Sequence, residues 1–222
     1  MLFRILFEFP LTTYVTIFLL LFYVVVGVFV PDSAINSYFL SYPGKFSPLN
    51  WFLASCYHAS VGHLLSNLAF LFFLGRAVEA RVGKGKWLVY YFMAGFISMM
   101  VDSIVRGYLF SYDRAPSVGA SGAIAGLAAV AALLAPLSYT VNGVKFPFPV
   151  FLVAWLMIYS DFMRLFSNDH IAHWAHLSGF FSVFLTAYLL KPKERNELQQ
   201  GFIMNLILFI LSVIIMYFID NR

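Results

Sequence analysis

Charge is what this 222-residue chain has least of. Asp, Glu, Lys and Arg together make up 11% of it, where an ordinary soluble domain carries about 25%. A soluble fold is excluded, because a chain of this length with 62% hydrophobic residues cannot hide that much apolar surface from water. Cysteine is nearly absent too: the single Cys56 can close no internal disulfide, so the fold does not depend on an oxidising compartment. No internal repeat, low-complexity tract or soluble domain is evident. The N-terminus lacks the cationic n-region and small-residue cleavage site of a signal peptide, so the first apolar run is expected to stay as a span. A net charge of +4 would suggest nucleic acid as a partner in a soluble protein. Here the basic residues lie in short loops, where they read as orientation in a bilayer, and no nucleic acid is expected.

What is present is a series of apolar runs. Spanning the hydrocarbon takes about 20 mainly apolar residues as a helix, and seven candidates satisfy this at about 11–30, 62–82, 87–107, 120–135, 148–165, 171–190 and 201–219. The expected fold is an all-α polytopic membrane protein. With a cytoplasmic N-terminus, the inner segments hold Arg4, Arg76, Arg81, Lys84, Lys86, Lys145, Lys191, Lys193 and Arg195, nine of the 14 basic residues, and this bias favours that orientation. The long first loop, 31–61, is rich in aromatics and interrupted by Pro31, Pro43 and Pro48. It is expected to lie in the interface and not as one continuous helix.

Polar residues inside the runs carry the chemistry. Ser121 sits in Val118-Gly119-Ala120-Ser121-Gly122-Ala123, where a polar loop turns into the short, small-residue fourth span. A hydroxyl at a helix start has free backbone N–H groups beside it, which suits a nucleophile whose attack creates a negative oxygen. His63 and Asn67, four apart on the second span, share a helical face. They read either as donors to that oxygen or as interhelical hydrogen-bond glue. In the sixth span His176 lies deepest of His170, His173 and His176, and a neutral imidazole there can act as general base toward Ser121. The three histidines cover a broad arc and no HExxH motif occurs, so neither a metal nor a cofactor is expected. Asp161 and Asp169 are candidates for a carboxylate that orients the imidazole, but each reads more simply as a solvated loop or helix-end charge, and neither is given a role, which favours a dyad over a triad. Gly122 and Gly126 form a small-xxx-small pair that allows close helix neighbours.

Together these residues resemble the rhomboid family of intramembrane serine proteases over roughly residues 45–190. The family's GxSG appears as Gly119-Ala120-Ser121-Gly122, its AHxxG as Ala175-His176-Leu177-Ser178-Gly179, and its HxxxN as His63-Leu64-Leu65-Ser66-Asn67. His58 matches a recurrent histidine of the first loop. Gly75-Arg76-Ala77-Val78-Glu79, with Gly83, matches the exit of the second helix, where Glu79 is structural. The chain departs from the pattern at Leu49-Asn50-Trp51, where the family has a Trp-Arg pair. Ala125 stands where an aromatic often packs on the catalytic imidazole, and Val183 replaces the second glycine of a GxxxG.

The resemblance implies a rhomboid-like six-helix transmembrane bundle over 1–195 plus one additional C-terminal transmembrane helix in 196–222. It implies an active site open to the non-cytoplasmic side and hydrolysis of a peptide bond in or near a transmembrane helix of a membrane-protein substrate. Ser121 and His176 would be catalytic, with His63, Asn67, Gly119 and the Ser121 backbone stabilising the oxyanion or the substrate. Substrate cleavage is expected near small or helix-breaking residues, since a helical carbonyl is shielded. A mobile fifth span bearing Phe148, Phe151, Trp155 and Phe162 would gate entry. The alternatives are a non-catalytic relative that binds membrane clients, and a channel or transporter.

Overall fold

Proline and glycine punctuate the apolar runs, and the helices follow that punctuation. The structure is a computed structural model and describes residues 8–110, 114–134, 140–141, 144–145, 149–167, 169, 171–187 and 192–220. Helix α1 (Pro10–Phe29) starts with proline at a position whose missing N–H costs nothing. The first loop holds two short helices, α2 (Asp32–Tyr38) and α3 (Pro48–Ala54), in agreement with its three prolines. Helix α4 (Val61–Phe70) runs through a π turn (Leu71–Gly75) into α5 (Arg76–Ile104), which ends in a second π turn (Val105–Leu109). Helices α6 (Ser121–Leu134), α7 (Val150–Met163), α8 (His173–Ala187) and α9 (Pro192–Asp220) complete the bundle. The described residues are all-helical apart from two-residue strands β1 (Thr140–Val141) and β2 (Val144–Lys145), paired antiparallel with Thr140 opposite Lys145. By length and composition, Pro10–Phe29 and Val61–Leu109 are long and apolar enough to cross a membrane.

The second and third apolar runs are separated by one residue in place of the expected loop. Gly83 has φ 74° and ψ 170° inside an otherwise helical stretch, a conformation that glycine adopts without a side-chain penalty. The chain folds back there. Trp87 Nε1 donates to Gly75 O at 2.8 Å, whereas twelve residues of straight helix would set these groups about 18 Å apart. Glu79, near the same end, accepts from Leu11 N, Thr12 N and Thr12 Oγ1 at 3.1, 2.8 and 2.8 Å. It thereby satisfies N–H groups that the start of α1 leaves open, the structural role expected of it.

Helix α6 is the centre of the bundle. Every residue from Gly122 to Ala132 is buried, and its 14 residues make a rod of about 21 Å. Its smallness permits this. A Cβ on Gly122 would collide with Ser98 of α5, one on Gly126 with Ala94 of α5, and one on Gly179 of α8 with the Gly122 backbone. Backbone-to-backbone approach of this kind supplies helix association where lipid offers no hydrophobic drive.

Helix α9 also reaches α6. Gly201 lies against the Leu133 carbonyl, and Asn205 Nδ2 donates to Ala132 O at 2.8 Å. It begins at Pro192, well before the apolar stretch at 201. Its first turns are charged and solvent-facing, so hydropathy alone does not reveal them. Outward faces carry large apolar side chains, Leu21, Val28 and Phe29 of α1 and Ile203, Phe209 and Ile215 of α9 among them, a surface suited to lipid contact.

Candidate active site

Two loops are stitched together before Ser121 is reached. Ser41 and Ser117 exchange backbone hydrogen bonds at 3.1 and 2.8 Å, and Gly119 N donates to Ala54 O at 2.8 Å. Below them lies a buried polar cluster. Arg106 Nη1 donates to Asp102 Oδ2 at 3.2 Å and to Ser117 Oγ at 2.8 Å, Nη2 donates to Ala115 O at 2.6 Å, and Ser117 Oγ donates to Asp102 Oδ2 at 2.6 Å. The segment entering α6 is therefore anchored on both sides. In the sequence, Arg106 reads only as a loop charge. Asp102 and Arg106 at i, i+4 in an apolar run are the available signal, since a buried charge requires a partner.

Gly119 turns the chain with φ +115°, and a methyl group there would lie 2.7 Å from His63 Nε2 and 3.5 Å from Asn67 Nδ2. Glycine is required both by conformation and by the two side chains pressed against it. The Gly119 N–H is taken by Ala54 O, so what this residue brings to the site is its shape. Helix α4 holds His63 and Asn67 in place, its N-terminus capped by Ser60 Oγ accepting from His63 N at 3.2 Å. His58 is fully buried, edge-on to the His63 ring at a centroid distance of 5.2 Å, with Ala120 N 3.5 Å from its Nε2. Burial, followed by the neighbouring His63, pushes His58 down to about 4. It is neutral at physiological pH and holds the first loop against the turn into α6.

Ser121 opens α6, where the first-turn N–H groups have no acceptor within the helix. Its Oγ lies 2.8 Å from His176 Nε2 of α8. The other ring nitrogen, Nδ1, lies 2.9 Å from Asp161 Oδ1. A carboxylate only accepts, so Nδ1 carries the proton and Nε2 presents its lone pair to the serine hydroxyl. Asp161 is 7% exposed, which overturns its reading as a solvated charge. His173 Nδ1 contacts the same Oδ1 at 2.7 Å, and its Nε2 faces Asp169 Oδ1 and Oδ2 at 3.1 and 3.2 Å. Asp169 lies outside the helices. Slight burial raises its carboxyl, but the Ile171 N–H, Ser167 and His173 together hold it below the usual range. His170 lies outside the described residues.

The Asp161, His173 and His176 donor atoms fall within 4.8 Å of one another. The 2.7 and 2.9 Å separations are hydrogen-bond lengths, shorter than the roughly 3.3 Å between two ligands of one tetrahedral zinc. Ser121, His176, His63 and Asn67 all line one cleft of about 580 Å³ together with Arg106, Ile124 and Met157. Asn67 Nδ2 is buried with no hydrogen-bond partner among the described residues, so its donor capacity is unused. Donor, hydroxyl and base are thus assembled around one space, a set able to carry acyl transfer. Sequence reasoning weighed Asp161 as an orienting carboxylate and gave it no role. Fifteen residues and a loop separate it from His176, so no periodicity links them.

Fold and site define a helical membrane protein whose serine, at the start of a central helix, meets an imidazole from a neighbouring one. The Rhomboid domain family profile matches residues 45–193. The chain belongs to the rhomboid family and is an integral membrane protein. It is similar to RHOMBOID-like protein 1 of Arabidopsis thaliana, 32% identical over 64% of this chain and 36% of the relative. It is also similar to RHOMBOID-like protein 7 of the same plant, 31% identical over 68% and 46%. Rhomboid-like protease 3 of Toxoplasma gondii is 29% identical over 65% of this chain and 52% of the relative. The matched region spans about a third to a half of these relatives' lengths.

Proposed function

We propose that this protein is an intramembrane serine endopeptidase that hydrolyses a peptide bond within or near the transmembrane helix of membrane-protein substrates. Ser121 Oγ attacks the scissile carbonyl carbon, its proton passes to His176 Nε2, and the carbonyl π pair moves onto oxygen. The Ser121 backbone N–H, His63 and Asn67 donate to that oxyanion. The Nε2 proton then goes to the leaving amine as the C–N bond breaks. Water repeats the sequence on the acyl-enzyme and frees Ser121. Serine acyl transfer needs no metal and no cofactor.

In this reading residues 1–195 form a six-span core and 196–222 a seventh span. The N-terminus is cytoplasmic and the cleft opens to the other side of a plasma or inner membrane. Trp155 of α7, whose ring lies 5.2 Å from that of Phe209 on α9, would have to yield if α7 moves to admit a substrate helix. The observation that carries the reading is the 2.8 Å contact between Ser121 Oγ and His176 Nε2 in a cleft also lined by Asn67, whose Nδ2 has no partner among the described residues.

The test is incubation of the purified protein in lipid with a fluorophosphonate probe and with a model single-span substrate, the products being read by mass spectrometry. Wild type is expected to label and to cleave, and Ser121→Ala to do neither. Wild type that does neither in a folded, lipid-embedded state would instead favour a client-binding protein.

A further inference from the structure

We propose that Asp161 is the positioning residue of this site, holding the His176 ring through Nδ1 so that Nε2 faces Ser121, and that His173 and Asp169 in turn hold Asp161. The proposal rests on the serine-hydrolase reading above.

Four observations carry it. Asp161 is buried at the end of α7 and, among the described residues, pairs with no lysine or arginine. A carboxylate in an apolar span needs compensation, and here both donors are imidazoles converging on one oxygen at 2.7 and 2.9 Å. The connection continues outward, since His173 Nε2 faces both Asp169 oxygens and Ser167 Oγ at 3.3 Å. Five side chains from α6, α8, α7 and the segment between the last two thus form one line: Ser121, His176, Asp161, His173, Asp169. Finally, α6 does little else to fix the ring. Ala125, one turn below Ser121 on the same face, is buried and offers only a methyl group. Among the described residues the aromatic neighbour of His176 is His173, edge-on with centroids 6.4 Å apart. Without Asp161 the imidazole is free to rotate about its χ2 or to adopt the other tautomer, in which Nε2 carries a proton and cannot receive one.

The consequence for the reaction is specific. As the Oγ–C bond forms and the serine proton reaches Nε2, the ring becomes an imidazolium with Nδ1–H still on Asp161. The carboxylate stabilises that cation and does not take its proton. Removing the negative charge therefore penalises the transition state more than substrate binding.

The experiment compares wild type, Asp161→Asn and Asp161→Glu as full-length proteins in lipid. For Asp161→Asn, kcat on the single-span substrate is expected to fall at least ~100-fold with KM within about threefold, because an amide at Nδ1 favours the wrong tautomer. Fluorophosphonate labelling of Ser121 is expected to slow in parallel, and Asp161→Glu to recover part of the loss. Nitrogen-15 NMR of histidine-labelled protein adds a reading that needs neither turnover nor a folded variant: wild-type His176 is expected as the Nδ1–H tautomer at neutral pH. Asp161→Asn with kcat within threefold of wild type, or a wild-type His176 protonated on Nε2, overturns the proposal. A wild type inert to probe and substrate, with the Nδ1–H tautomer present, sinks the hydrolase reading and the catalytic part of the proposal while leaving the Asp161–His176 contact standing.

Discussion

Two buried carboxylates, Glu79 in the first turns of α5 and Asp161 at the end of α7, are exposed to the same small degree, 6% and 7%, yet their surroundings differ in kind. Glu79 accepts from two backbone N–H groups and a threonine hydroxyl, all from the start of α1. None of those donors can change protonation, and Glu79 does not line the cleft that holds Ser121. Asp161 accepts from two imidazoles, one of which meets a serine hydroxyl in a cleft. Burial of a charge therefore does not by itself mark a functional site in a membrane protein. What separates the two is whether the partners are fixed donors or groups that can gain and lose a proton.

The largest effect that would sharpen this contrast comes at the hydroxyl and the ring. Ser121→Ala and His176→Ala are each expected to remove cleavage to the uncatalysed background while the protein stays folded, as read by product mass spectrometry beside size-exclusion and thermal melting. Full activity in His176→Ala would abolish the distinction between the two carboxylates. Next in size is Asn67→Ala. Loss of one oxyanion donor is worth about 3 kcal/mol, roughly a 100-fold fall in kcat. An effect as large as that of Ser121→Ala would mean that Asn67 holds the fold and not the oxyanion.

Glu79→Gln tests the other side of the comparison. The amide turns a donor toward groups that are themselves donors, costing about 1–3 kcal/mol of stability. The melting temperature in detergent should drop while cleavage per folded molecule stays the same. A fall in kcat without loss of stability would break the contrast from that side. Smallest is Ser60→Ala, where the lost N-cap of α4 is expected to cost about 1 kcal/mol, again measured by melting.

Much of the candidate site was legible before any coordinates. Ser121, His176, His63 and Asn67 each lie within a short local pattern at a helix end, and the structure brings all four to one cleft. The second and third apolar runs were legible as runs, but the one-residue reversal at Gly83 was not, since only its φ and the Trp87–Gly75 bond reveal it. The charged start of α9 was missed because apolar windows do not register polar turns. Asp161 was visible as a candidate orienting carboxylate late in the fifth span, but its neighbours in sequence, Ser160 and Phe162, gave no hint of a partner.

By itself, then, the chain's composition and short motifs determined that it enters a membrane, how its apolar runs are divided, and which hydroxyl and imidazole it offers. Those properties reside in single residues and helical periodicity, and both are local. Only the packed bundle decided that Asp161 reaches His176, that Gly119 has no N–H to spare, and that Arg106 anchors the turn into α6. Each of these is a contact between separate elements of the fold, which no local pattern in the chain encodes; the bundle that holds them is packed as closely as glycine and alanine let α5, α6 and α8 approach.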